Sequence, residues 1–112
     1  MAANIEIFRS LKRNKLQLVE AYRYSLDHSN TPEETAQHLI DEIGKAAAAE
    51  ITAAMILCKG EWDARISPAS RRWARDTLSC TAAEMSNHYL FYCDEIHPAH
   101  FDQIASAIRR MA

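Results

Sequence analysis

The stretch Ile51-Thr52-Ala53-Ala54-Met55-Ile56-Leu57-Cys58 leaves this chain few ways to fold. Ile51, Ala54, Met55 and Cys58 recur at the spacing of one α-helical face. Ala53, Ile56 and Leu57 fill a second face, so the helix is apolar nearly all round and must be covered on several sides. The alanines from Ala46 to Ala49 precede it, and their small side chains let neighbouring backbones come close. Gly60 marks its end. A helix of this kind is the centre of a helical core.

The rest of the chain supplies the covering helices. Asn4 is a candidate cap for a first helix reaching about Asp27, with Phe8, Leu11, Lys15, Val19, Tyr22 and Leu26 down one face. Thr31, Pro32 and Glu34 form a capping-box start for a second helix, which carries Leu39, Ile40 and Ile43 inward. Gly44 is expected to stop that helix in the left-handed conformation. Ser67-Pro68 repeats the cap-then-proline signature and opens a helix through about Leu78. Ser79-Cys80-Thr81 breaks the chain, Thr81 and Glu84 suggest another box, and Met85, Tyr89, Tyr92 and Cys93 share a helical stripe. Pro98 opens a last helix, whose Phe101, Ile104, Ala105 and Ile108 make a clean buried face. All three prolines fall at expected helix starts and both glycines at expected ends. The expectation is an all-α fold: a compact bundle of five to six helices around the central alanine-rich helix, without substantial sheet.

At 112 residues the chain suits one domain, spanning residues 1–112, since two separate cores of half that size would each be marginal. The net charge of −2 gives no global electrostatic case for nucleic acid or for an anionic membrane. The charge is uneven: His28 to Ala64 holds two basic and seven acidic residues, while Arg65 to Ala112 holds six basic and five acidic. No apolar run approaches the roughly 18 residues a membrane span needs. Cys58, Cys80 and Cys93 are odd in number and lack CxxC spacing, and Met1-Ala2-Ala3-Asn4 begins no signal-peptide pattern. These features suit free thiols and a cytoplasmic setting.

Trp62, Asp63, Arg65, Arg71, Arg72 and Trp73 form the most distinctive constellation. Tryptophan and arginine are enriched at binding hot spots, so an exposed patch of them would recognise a partner. The competing reading is a latch that locks two helices: Trp62 anchors the loop after Gly60 to the core, Asp63 pairs with Arg65, Arg71 or Arg72, and Trp73 stacks on a guanidinium. Buried aromatics are ordinary core material, and the latch is the stronger of the two readings. A second cluster, Cys93, His97 and His100 with His88 nearby, contains metal-capable ligands. Its spacing matches no standard zinc arrangement, so we read a buried thiol and surface imidazoles, and expect no metal or cofactor. Glu33, Glu34, Asp41 and Glu42 sit at helix starts or outer faces, where capping and solvation account for them. With no Gly-rich phosphate loop, nucleophile motif or HExxH, an enzyme is not expected.

The order Phe8-Arg9-Ser10 with Asn14, then Trp62-Asp63-Ala64-Arg65-Ile66-Ser67, then Trp73-Ala74, resembles a bacterial domain family of unknown function. That family occurs in conjugative and other mobile elements of gut Gram-positive bacteria. Ala64 stands where its pattern has glycine, and Leu16 to Val19 where it often has a cysteine. The resemblance covers roughly Phe8 to Ala74 and carries over no catalytic residue, cofactor or substrate. It implies a bacterial, cytoplasmic setting and accessory service to a mobile element.

The leading functional expectation is therefore a small non-enzymatic helical module that binds a protein partner, with a second copy of the chain among the candidates. The aromatic run Tyr89, Phe91 and Tyr92 adds to it, because three rings so spaced cannot all face one core. The alternative is nucleic-acid binding through Arg9, Lys12, Arg13 and Lys15 on the first helix and Arg71, Arg72 and Arg75 on the fourth. A third reading, a metal-dependent activity, would show as stoichiometric zinc or iron in protein purified without added metal.

Overall fold

A computed structural model describes residues 13–59, 65–79 and 98–111. Five helices are present among them and no strand: α1 Lys15–Asp27, α2 Pro32–Ile43, α3 Lys45–Lys59, α4 Pro68–Leu78 and α5 Pro98–Arg110. The architecture is all-α. Every residue from Ile51 to Leu57 on α3 is buried, and Met55 and Leu57 keep only 1% and 4% of their surface. Helices α2, α4 and α5 all pack against α3, most extensively α4, and α1 lies on α2. The apolar-all-round helix thus sits where its pattern requires, enclosed by its neighbours.

The helix ends follow local chemistry. Pro32, Pro68 and Pro98 each occupy the first position of a helix, where a missing N–H costs nothing. Thr31 Oγ1 accepts from the Glu34 amide at 3.1 Å, as a cap should. The Glu34 carboxylate reaches back one residue further than in a standard box, accepting from the Asn30 amide at 3.0 Å. Ser67 Oγ likewise accepts from the Ser70 amide at 3.2 Å. At the far end of α4, Ser79 adopts φ 53° and ψ 40°, a left-handed stop made without glycine.

Two expected features differ. The helix expected from Asn4 to about Asp27 is interrupted at Asn14, and residues 4–12 lie outside the described residues. Its described part begins at Lys15, because Asn14 has φ −102° and ψ 13° and forms a turn. Asparagine is a weak helix former whose side chain competes for backbone partners, so a break there is physically reasonable. Phe8 and Leu11 lie outside the described residues, while Tyr22, Ser25 and Leu26 carry the inward face of α1.

Gly44 does separate α2 from α3, but not in the left-handed helical conformation. Its φ of 88° and ψ of 158° lie in a region nearly reserved for glycine. Its N–H donates to the Ile40 carbonyl at 2.8 Å and its own carbonyl accepts from Ala48 at 2.9 Å. One residue thus closes one helix and opens the next. An added Cβ would meet nothing within 4 Å, so any penalty is conformational. Gly44→Ala should destabilise by about 1–3 kcal/mol in urea titrations. Gly44→Asn should recover little of that, because asparagine's tolerance is for the left-handed helical ψ. A neutral Gly44→Ala would contradict this account.

The described helices share one core. Tyr22 of α1, Leu39 of α2, Ile51, Met55 and Ile56 of α3, Ile66 before α4, Ala74 and Leu78 of α4, and Phe101, Ile104 and Ile108 of α5 are buried together. The clean face anticipated for the last helix is the face it buries, with Ala107 added.

Candidate functional site

Of the six residues singled out in the sequence, Trp62 and Asp63 lie outside the described residues, as do Gly60, Cys93, His97, His88 and the aromatic run at 89–92. Four remain, one before α4 and three on it. Arg65 and Arg72 are exposed, and Arg71 and Trp73 are half-buried. Trp73 packs against the core, so it anchors α4 rather than standing free as part of a surface patch. Ile66, quoted in the sequence only as part of the segment from Trp62 to Ser67, ties the approach to α4 into the core at 1% exposure.

The first turn of α4 is held from across the bundle. Asp102 of α5 accepts at Oδ1 from the Ser67 amide at 3.0 Å, the Ser67 hydroxyl at 2.8 Å and the Ser70 hydroxyl at 2.7 Å. Arg109, two turns along α5, donates to Ser70 Oγ at 3.3 Å. Burial on its own would raise the Asp102 carboxyl. The hydrogen bonds from Ser70 and Ser67, with the Arg109 charge, outweigh it and hold the group below its ordinary 3.8. Ser70 is fully buried and Ser67 half-buried, and the cluster fastens α4 to α5.

With its inner side fixed in this way, α4 turns Arg72, Arg75 and Asp76 outward. Arg72 and Arg75 are one turn apart and form no ion pair among the described residues, while Arg65 and Arg71 each keep an interaction within the chain. By contrast Arg110, at the end of α5, is paired with Glu33 of α2 and also donates to Ser106 at 2.8 Å. The two exposed arginines of α4 are therefore charges that the described fold does not use.

A second region had no sequence signal. Where the α1–α2 turn faces α5, a cleft of about 570 Å³ opens, a volume typical of ligand sites. Leu26, Pro32, Thr35 and Ile104 form its apolar side; Arg23 and Asp27 contribute from α1, Ser29, Asn30 and Thr31 from the turn, and His100 and Gln103 from α5. Close in sequence to these α1 residues, Tyr24 keeps 49% of its surface and stacks on His28, ring centroids 4.0 Å apart. The His28 Nδ1 lies 2.9 Å from the Tyr24 carbonyl, an acceptor only, so Nδ1 carries the hydrogen. Residues so far apart in sequence meet only in the fold, so no local motif announces the cleft.

His100 is exposed and lines the cleft; the residues it was grouped with, Cys93, His97 and His88, lie outside the described residues, among which no group of three metal-capable side chains occurs. No described helix is long and apolar enough to cross a membrane. No family model, curated protein or solved structure matches this chain.

Proposed function

We propose that the protein is a non-enzymatic, cytoplasmic interaction module that meets an acidic protein surface through the outer face of α4. The observation that carries this reading is the pair Arg72 and Arg75, exposed and without an ion pair among the described residues, on a helix whose inner side is locked. Arginines on a rigid support lose little entropy when they form forked bonds to carboxylates. A second copy of the chain supplies such carboxylates, because Asp41 and Glu42 are exposed on α2. The resemblance over Phe8 to Ala74 extends the proposal to accessory service for a bacterial mobile element.

Sedimentation and light scattering over a wide concentration range test the self-association form. Wild-type protein should associate at low salt, and the double variant Arg72→Glu, Arg75→Glu should stay monomeric while remaining as stable, since neither side chain serves the core. A strict monomer at every concentration, together with no retention of the wild type on a carboxylate-rich polypeptide such as polyglutamate, would sink the proposal. The same two arginines suit phosphate. Retention of DNA or RNA at low salt, lost in the double variant, would replace the protein partner with a nucleic acid.

A further inference from the structure

The cleft between the α1–α2 turn and α5 uses no residue of α4, and its walls have a chemistry of their own. Ile104, at 1% exposure, and Thr35, at 4%, form an apolar floor. Above it stand two primary amides, Asn30 and Gln103, both exposed and with no side-chain hydrogen bond among the described residues. A primary amide offers one acceptor and two donors, so the two amides lining one cleft can bond both the N–H and C=O of a main chain lying in it. The third group is Asp27, exposed and without an ion pair among the described residues, whereas Arg23 and His100 each have an interaction within the chain.

The local field also has a sign. Asp27 is the last residue of α1, whose final turn contains no basic residue, so the negative end of the helix dipole and the carboxylate reinforce each other. The opposing positive end, at the start of α2, is already matched by Glu33 and Glu34 in its first turn. Asp27 is therefore the point of the cleft that favours a cation, set against Arg23 one turn back on α1 and His100 on α5, which line the same cleft.

We infer that this cleft is a docking site for an extended peptide segment carrying an aliphatic residue next to a lysine or arginine. The aliphatic side chain sits on the floor, the main chain runs between Asn30 and Gln103, and the cationic head meets Asp27. The site is distinct from the α4 face and stands or falls independently of it.

The test uses two blocked peptides, acetyl-Ala-Leu-Lys-Ala-amide and its glutamate counterpart acetyl-Ala-Leu-Glu-Ala-amide, titrated into the full chain by nitrogen-edited NMR. The lysine peptide should shift the side-chain amide signals of Asn30 and Gln103 saturably, and bind about fivefold more tightly than the glutamate peptide, the discrimination an exposed ion pair supports. Asp27→Asn should erase that preference with the fold intact, Gln103→Ala should weaken both peptides, and Arg72→Glu, Arg75→Glu should change neither. Absence of a saturable shift, equal binding of the two peptides to wild type, or an undiminished preference in Asp27→Asn would overturn the inference. Loss of peptide binding in the α4 double variant would do the same, by showing that the two surfaces are one.

Discussion

Replacing Phe101 with alanine should cost about 3–5 kcal/mol, the largest loss expected from any single truncation of this core. Phe101 is fully buried and contacts Tyr22 with ring centroids 5.9 Å apart at 53°, a tilted pair that adds to simple burial. The contact joins α1 to α5, so the void left by alanine would lie between elements at opposite ends of the described chain. Closing it would require moving α5, which is fastened to α4 by Asp102 and to α2 by the Arg110–Glu33 pair. The cavity should therefore persist rather than collapse. Domains of this size have about 5–15 kcal/mol of total stability, so the variant should be close to unfolding. Urea titration followed by far-ultraviolet circular dichroism would measure it, with an unchanged slope showing that stability alone has altered. Phe101→Leu, which keeps most of the volume, should cost much less. A loss below about 1 kcal/mol for alanine would mean that α5 is loosely seated.

Much of the fold was legible because it rests on local signals. The prolines at 32, 68 and 98 have the same consequence in any helical protein, and the caps at Thr31 and Ser67 need only a hydroxyl three residues ahead of an amide. The burial of Ile51 to Leu57 followed from composition at helical spacing. Local reasoning failed where two conformations share a residue type. Gly44 was recognisable as a break, but glycine alone does not distinguish its ψ of 158° from the left-handed stop that Ser79 adopts instead. The site was far less legible. Trp73 stood out in the sequence as an aromatic beside two arginines, and its packing against the core cluster is what only the fold supplies. The cleft depends on α5 lying over the α1–α2 turn, which only the helix packing specifies. Asp102 looked like an ordinary polar residue between Phe101 and Gln103, because its partners are 35 and 32 residues away.

That last residue should show the second large effect, and with a pH signature. Asp102→Ala removes the acceptor for three donors and leaves the fully buried Ser70 hydroxyl with Arg109 as its remaining long-range partner, so a loss of about 2–4 kcal/mol at neutral pH is expected. Because the folded protein holds the carboxyl below its ordinary 3.8, the unfolded chain binds more protons in the interval beneath that value. Stability from Asp102 is thus complete at neutral pH and is lost as the pH falls through the folded value. Glu50 acts in the opposite sense: burial raises its carboxyl above 4.5, so its contribution declines as the pH rises past that point. The two slopes partly offset in the wild type, and Asp102→Asn separates them. Asparagine keeps an acceptor oxygen for the serine donors but cannot titrate, so it should be milder than alanine and should flatten the acid limb while the Glu50 slope persists. Urea midpoints measured from neutral pH down into the acid range would read this directly. If wild type and Asp102→Asn lost stability in parallel as the pH fell, the charge on Asp102 would have no part in holding α4 to α5, and packing alone would have to account for the joint.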